Sequence, residues 1–127
     1  MLHQPGRLGE EQVPLRQISE NMSLVTVGTV AFDAIQTPFA SSGKIVGGAA
    51  SYIGLSASQF AKEQHIISAI GDDFPQSFIA ELESRGVNTE GLECRKGEKS
   101  FFWKGKYHMY MNSRETLTTD LNRLSLF

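Results

Sequence analysis

The sequence has few cysteines and no long apolar run. Among its 127 residues Cys94 is the sole cysteine, so no disulfide can form within the chain. We therefore expect a reduced, cytoplasmic setting. No apolar run approaches the roughly 18 residues that a membrane helix needs, and the first residues lack the apolar segment of a secretory signal. These absences predict no association with a membrane.

Charge of one sign and the common ligand-binding motifs are also lacking. The formal net charge is -2, without the basic excess of a nucleic-acid binder, so we expect no nucleic-acid partner. The three histidines, His3, His65 and His108, are far apart and have no helical pair spacing, which predicts no metal site. Neither a phosphate-binding P-loop nor a G-x-G-x-x-G fingerprint is present.

The first 22 residues are polar and show no periodicity. Four breakers of regular structure occur among them, namely Pro5, Gly6, Gly9 and Pro14. We predict a flexible amino-terminal arm over residues 1–22 and one folded unit over residues 23–127.

Two apolar runs, each followed by a helical pattern, predict strand–helix units. Residues 24–30 are predicted as a buried, central strand of a parallel sheet, and residues 65–71 as a second buried strand. Residues 49–62 read as a helix whose core face carries Ala50, Ile53, Ala57 and Ala61. Alternating strands and helices are typical of βαβ units on a parallel sheet.

The second predicted helix has the clearest start and stop signals. Asp72 or Asp73 is predicted as its N-cap, and Gly86 as the residue after its end. Phe74, Phe78 and Leu82 recur at a spacing of four and form its apolar stripe.

Two further segments read as β-hairpins. One runs over residues 35–46, and the other over residues 101–111 with its turn at Lys104-Gly105-Lys106. The last stretch, residues 113–127, shows helical spacing of three leucines, Leu117, Leu121 and Leu124.

The candidate site combines a glycine pair with an acidic residue. Gly47 and Gly48 allow close approach of another molecule to the backbone, and the helix after them begins with unpaired amides. Such a place suits a sugar hydroxyl or an anion. Asp33 follows the first predicted strand, where ligands of open α/β sheets bind, but an aspartate there also caps turns. Both roles remain open for Asp33.

In this order, the features resemble those of the PfkB/ribokinase-like carbohydrate kinases. They are the first strand with Asp33, the pair Gly47-Gly48 before a helix, the segment 69–73 before the second helix, and the aromatic segment 101–103. The resemblance covers residues 23–127 and implies the amino-terminal portion of an α/β, ribokinase-like domain, truncated after that portion. Such a domain has a Rossmann-like parallel sheet with flanking helices and a small β lid.

The resemblance also implies roles for individual residues. Asp33 matches the residue that hydrogen-bonds acceptor hydroxyls, and Gly47 and Gly48 match the pair that presents backbone to the same substrate. Tyr52 occupies the substrate-side position where many members carry asparagine, which leaves the acceptor type open. The implied partners are a sugar or nucleoside-like small molecule and a second copy that pairs through the lid.

The family's catalytic base and its ATP site lie in a carboxyl-terminal half whose motifs this sequence lacks. The intact enzymes use ATP and Mg²⁺, which we expect the present chain alone not to bind well. Two hypotheses follow. The chain is the acceptor-binding portion of an ATP-dependent carbohydrate or nucleoside kinase, or it is a non-catalytic, truncated sugar-binding or dimerisation module.

Overall fold

The computed structural model describes residues 22–121. The predicted arm over residues 1–22 therefore lies outside this range except for Met22, as does Leu124 at the other end. Over this range the chain forms eight strands and two helices. The strands are β1 Ser23–Val27, β2 Ala31–Gln36, β3 Ile45–Gly47, β4 Glu63–Gly71, β5 Val87–Asn88, β6 Leu92–Arg95, β7 Phe102–Tyr107 and β8 Arg114–Asp120, and the helices are α1 Ala49–Ala57 and α2 Gln76–Ser84.

Strands β1, β4, β5 and β6 form an all-parallel sheet, which we call the core sheet. Strand β4 pairs with β1 along one edge, and with β5 and then β6 along the other. Strand β4 and its preceding and following helices confirm the predicted alternation of strands and helices. None of the helices between residues 22 and 121 is long and apolar enough to cross a membrane.

The helices and the core sheet share one hydrophobic core. Its buried members are Val30, Ala50, Ile66, Ile70, Phe74, Leu82 and Val87. Helix α1 packs closely on β4, since a Cβ added at Gly54 would lie 2.8 Å from Ile66 Cδ1. The stripe predicted for the second helix is confirmed in part: Leu82 is buried and Phe78 packs against the core, whereas Phe74 is buried but precedes α2, in the turn after β4.

The predicted core face of α1 is partly wrong. Its buried residues are Ala50, Ser51 and Gly54, whereas Ile53 is 45% exposed. The close approach of α1 to β4 explains the difference, because only the smallest side chains fit between the two elements. The helix also ends at Ala57, five residues before the predicted end.

The first strand differs from its prediction as well. Strand β1 is an edge of the core sheet within residues 22–121, and Thr26 is its one buried residue. Val25 and Val27 are 54% and 71% exposed. Successive side chains of a strand point to opposite faces, so a single layer of helices covers only every second residue. The predicted central, buried strand is thus wrong for this part of the chain.

The two acidic residues before α2 do not cap it. The N-cap is Pro75, with no side-chain hydrogen bond. Instead Asp72 Oδ2 accepts a hydrogen bond from the Gly97 amide at 2.8 Å. Asp73 Oδ1 accepts from both the amide and the hydroxyl of Ser100, each at 2.8 Å. These carboxylates tie the end of β4 to the segment that leads into β7. Gly86 has φ +82° after the C-cap, as predicted for that position.

We expect Asp73→Ala to destabilise the chain by about 2 kcal/mol, because the buried Ser100 loses a partner for both its amide and its hydroxyl. Urea unfolding followed by circular dichroism measures the change. Asp72→Ala is the matched control, since its one bond to Gly97 is exposed and worth less. Equal losses in the two variants would contradict the prediction.

The remaining strands form a second sheet with the order β3-β2-β7-β8. Strand β2 is antiparallel to β3 and parallel to β7, and β7 is antiparallel to β8. The first predicted hairpin is confirmed as the antiparallel pair β2–β3, although its first strand begins at Ala31 rather than Ile35.

The second predicted hairpin has its turn in the wrong place. Strand β7 continues through Lys104-Gly105-Lys106, and the chain reverses over residues 108–113, where Met111 has φ 59°. The returning strand β8 replaces the predicted helix, and Leu117 lies in it at a register shift. The threonines of β8 favour a strand when a partner such as β7 is present. This pairing outweighs the helical spacing of the leucines.

Candidate functional site

Asp33 lies inside the second sheet. It is the third residue of β2 and stands opposite Ile45 of β3. Strand β1 ends at Val27 and Asp33 belongs to the next strand, so the prediction that Asp33 marks the end of the first strand is wrong. A turn-capping role is excluded too, because Asp33 is flanked by strand residues on both sides.

The structure brings Asp33 and the glycine pair together. A Cβ added at Gly47 would overlap Asp33 Oδ2 and would lie 2.6 Å from its Cγ. The backbone amide of Gly48 donates a hydrogen bond to the Asp33 carboxylate. The carboxylate thus occupies the space that any larger residue at position 47 would need. Position 47 must therefore be glycine for the Asp33 side chain to adopt this conformation.

Burial raises the pKa of Asp33, and the hydrogen bond from the Gly48 amide lowers it by less. The carboxylate has lost water on one side and gained one backbone donor. A partly desolvated carboxylate gains most from further hydrogen-bond donors. Hydroxyl groups of a polyol are suitable donors.

Gly48 adopts a backbone conformation that only glycine adopts readily. Its φ is +91° and its ψ is 143°, and it serves as the N-cap of α1. A Cβ there would overlap the carbonyl oxygen of Thr29 and lie 2.8 Å from the carbonyl carbon. This conformation turns the chain from β3 into α1 and directs the Gly48 amide at Asp33.

The first amides of α1 are already paired. The Ala49 amide donates to Thr29 Oγ1 at 3.1 Å, and the Ala50 amide donates to the Thr29 carbonyl at 2.9 Å. The expectation that these amides face a ligand is therefore wrong. The sequence analysis missed Thr29 as the partner of these amides, because a residue far from the helix in the sequence cannot be recognised from local patterns.

Tyr52 lies apart from this cluster. It belongs to α1, its amide donates to the Gly48 carbonyl at 3.4 Å, and its side chain is 55% exposed. The structure thus unites Asp33, Gly47 and Gly48, and leaves the Tyr52 ring on the exposed side of the helix.

Trp103 is the neighbour of Asp33 across the second sheet. The parallel register of β2 and β7 places the two residues side by side on one face. The indole ring lies over Gly105, where an added Cβ would overlap it, and its Nε1–H donates to Thr116 Oγ1 at 3.3 Å. The guanidinium of Arg114 lies 5.3 Å from the ring centroid. The sequence analysis had assigned Gly105 to a turn.

The opposite face of the second sheet packs against the core. Phe32 contacts Phe74 with ring centroids 5.2 Å apart. Lys44 Nζ lies 5.0 Å from the Phe32 ring and 4.8 Å from the Phe102 ring. The face that carries Phe32 thus contacts the core, and Asp33 and Trp103 lie on the other face of the sheet.

No protein-family model matches the sequence, and no curated protein matches it either. Solved structures do match. A nucleoside kinase of Burkholderia thailandensis in complex with inosine has a TM-score of 0.63 at 16% identity, over 78% of this chain and 36% of its own. A ribokinase II, assigned as putative, from E. coli has a TM-score of 0.62 at 22% identity, over 77% and 34%.

A third similar structure is the ribokinase of Cryptococcus neoformans in complex with ADP. Its TM-score is 0.56 at 22% identity, over 76% of this chain and 34% of its own. The fold is ribokinase-like. The predicted fold class is confirmed, with a parallel sheet, flanking helices and a smaller sheet in the place of the predicted β lid.

The ribokinase-like chain spans about a third of the length of the structures it matches. These identities are low, so the likeness establishes the fold. Within residues 22–121 no group of three or more His, Cys, Asp or Glu side chains could hold a metal ion.

Proposed function

We propose that this chain provides the acceptor-binding portion of an ATP-dependent kinase that phosphorylates a hydroxyl group of a sugar or nucleoside. One observation carries the proposal. Asp33 lies against Gly47 and accepts the Gly48 amide, on the free face of the smaller sheet of a ribokinase-like fold. Two of the similar structures are a ribokinase and a nucleoside kinase.

Asp33 binds and orients the acceptor in this proposal. An ionised carboxylate has two oxygens that accept hydrogen bonds, and the Gly48 amide uses part of this capacity. The remaining lone pairs hold neighbouring hydroxyls of the acceptor. Gly47 has no side chain, and the Asp33 carboxylate itself occupies the space that this leaves. A fixed hydroxyl is what in-line phosphoryl transfer requires of its acceptor.

Mg-ATP supplies the phosphoryl group when it is bound in kinases of this fold. Within residues 22–121 no group of three or more His, Cys, Asp or Glu side chains could hold a metal ion. The role that we propose for this chain is to bind the acceptor.

We expect Asp33→Ala to weaken acceptor binding about tenfold or more, because charge-assisted hydrogen bonds to hydroxyls are lost. Calorimetric titration of the chain with D-ribose, D-fructose and inosine measures this loss. Glu115→Gln is the matched control, since it removes a carboxylate from the opposite face of the same sheet. Unchanged acceptor binding in Asp33→Ala, or an equal loss of acceptor binding in Glu115→Gln, would contradict the role of Asp33.

The second candidate is a non-catalytic sugar-binding or dimerisation module without an ATP site. Strand β8 supports this candidate. All seven of its residues are exposed, and within residues 22–121 it has a partner strand, β7, along one edge and none along the other. An exposed edge strand favours pairing with another chain, here a homodimer through the second sheet. ATP-dependent phosphorylation of an acceptor by the purified chain would exclude this candidate. We place either form in the cytoplasm, because Cys94 is a free, exposed thiol.

A further inference from the structure

Ser51 carries a buried hydroxyl group directly behind the glycine pair. It is the third residue of α1, and its side chain is 1% exposed. Its Oγ–H donates a hydrogen bond to the Gly47 carbonyl oxygen at 2.8 Å. The bond therefore runs out of the helix to the last residue of β3. Because the hydroxyl is shielded from water, solvent does not compete for this contact.

The Gly47 carbonyl and the Gly48 amide belong to one peptide group. A trans peptide group is planar, so its C=O and its N–H point in opposite directions. Ser51 holds the carbonyl end of this group, and the Asp33 carboxylate accepts a hydrogen bond from the amide end. The hydrogen bond to the carbonyl also polarises the peptide group and strengthens donation by its N–H. Ser51 thus acts on the direction and the strength of the donor that holds Asp33.

The peptide group on the other side of Gly48 is held as well. Its N–H, the Ala49 amide, donates to Thr29 Oγ1 at 3.1 Å. Thr29 is in turn held close to the core sheet, because the amide of the next residue, Val30, donates to Ser68 Oγ of β4 at 3.1 Å. Glycine has the widest conformational range of all residues, so these neighbours have to restrain it. Side-chain hydroxyls therefore hold both peptide groups that flank the Cα of Gly48.

Ser51 reaches a ligand only through Asp33. The serine is buried, whereas Asp33 is partly exposed, so an acceptor meets the carboxylate and not the hydroxyl of Ser51. Burial raises the pKa of Asp33, the Gly48 amide lowers it by less, and no charged side chain of residues 22–121 contributes. The pKa of Asp33 therefore reports on the Gly48 amide as long as burial is unchanged.

We propose that Ser51 is a positioning residue of the acceptor site, which fixes the Gly47–Gly48 peptide group and thereby the Gly48 amide that holds the Asp33 carboxylate. The inference rests on the proposed function, since it gives Ser51 a part in binding the acceptor. Ser51 contacts neither the acceptor nor the reacting atoms. It keeps the carboxylate in one orientation before the acceptor arrives, so that less has to be ordered on binding.

The pKa of Asp33 in Ser51→Ala tests the inference without any ligand. Carbon-13 NMR of the side-chain carboxyl group, over a pH series of the whole chain, measures this pKa. Alanine removes one oxygen atom and is a good helix former, so we expect the variant to fold. The pKa of Asp33 should rise above that in the natural chain, because the Gly48 amide becomes a weaker and less directed donor while burial is unchanged.

Ser58→Ala is the matched control. Ser58 follows the other end of the same helix, and its Oγ–H donates to the Leu55 carbonyl oxygen at 2.6 Å. This variant also loses one bond from a serine hydroxyl to a backbone carbonyl, but the pKa of Asp33 should not change. Ser51→Cys retains a weak donor, so a smaller rise in the pKa of Asp33 is expected. The cysteine variant also provides the answer if Ser51→Ala does not fold.

Acceptor binding is the second measurement. The whole chain is titrated calorimetrically with D-ribose, D-fructose and inosine at a pH where Asp33 of the natural chain is ionised. Ser51→Ala should weaken binding about fivefold, which corresponds to the loss of one neutral hydrogen bond. This loss is smaller than the one expected for Asp33→Ala, because the carboxylate itself is still present. Ser58→Ala should bind the acceptor as the natural chain does.

Three results would overturn the inference. They are an unchanged pKa of Asp33 in Ser51→Ala, an equal rise in Ser51→Ala and Ser58→Ala, and a raised pKa with undiminished acceptor binding. The proposed function fails in a different way. If none of the three compounds binds the natural chain while the pKa of Asp33 rises in Ser51→Ala, the action of Ser51 on Asp33 stands and the acceptor role is contradicted.

Discussion

Gly48→Ala is expected to destabilise the chain by about 3–5 kcal/mol. A residue with a Cβ at φ +91° and ψ 143° is strained by about 1–3 kcal/mol. The added Cβ would also overlap the Thr29 carbonyl oxygen and lie 3.0 Å from the Ala31 amide nitrogen. These neighbours are backbone atoms, so the overlap cannot be relieved by a side-chain rotation. Urea unfolding followed by circular dichroism measures the loss.

Gly43→Ala is the matched control for this substitution. Nothing lies within 4 Å of a Cβ at Gly43, and its φ is not in the positive range. Alanine there should change the free energy of unfolding by less than about 1 kcal/mol, in either direction. If Gly48→Ala were as mild as Gly43→Ala, the backbone path from β3 into α1 described above would be incorrect.

Gly47→Ala is expected to destabilise the chain by about 2–3 kcal/mol through one neighbour, Asp33. The three atoms nearest to the added Cβ are Oδ2, Cγ and Cβ of that side chain. The carboxylate must leave its position beside the Gly48 amide, as overpacking forces a side chain off its preferred conformation. Acceptor binding should fall together with stability, because the displaced group is the one assigned to the acceptor.

A double-mutant cycle tests this coupling. In an Asp33→Ala background the carboxylate is absent, and the nearest remaining Asp33 atom, its Cβ, lies 3.2 Å from the added Cβ. Gly47→Ala should then cost about 1–2 kcal/mol less than in the natural chain. The same cycle with Gly48→Ala should show no such relief, since its overlaps involve Thr29 and Ala31. Additive effects for Gly47 and Asp33 would show that the two residues do not share this space.

Local patterns in the sequence predicted the parts of the fold that depend on short stretches of chain. The spacing of Phe78 and Leu82 is a property of one helix, and Gly86 follows the end of that helix with a positive φ. The order of strands and helices was correct from β1 to α2. Asp33, Gly47 and Gly48 were chosen by position and by resemblance, and the structure brings these three together.

Contacts between distant residues explain the predictions that were wrong. Asp72 and Asp73 lie where an N-cap is expected, but their partners Gly97 and Ser100 are over twenty residues away. Gly105 resembled a turn residue because the ring of Trp103 that lies over it is visible only in three dimensions. Such partners cannot be read from a window of neighbouring residues.

The sequence by itself determined the α/β class and the order of the elements from β1 to α2, because periodicity and glycine conformation act locally. The tertiary structure alone decided which sheet carries Asp33 and that β8 is a strand beside β7. It also decided that Arg114 lies over Trp103 on the same face as Asp33. Strand register depends on pairing between segments as far as 70 residues apart, and it sets which side chains share a face.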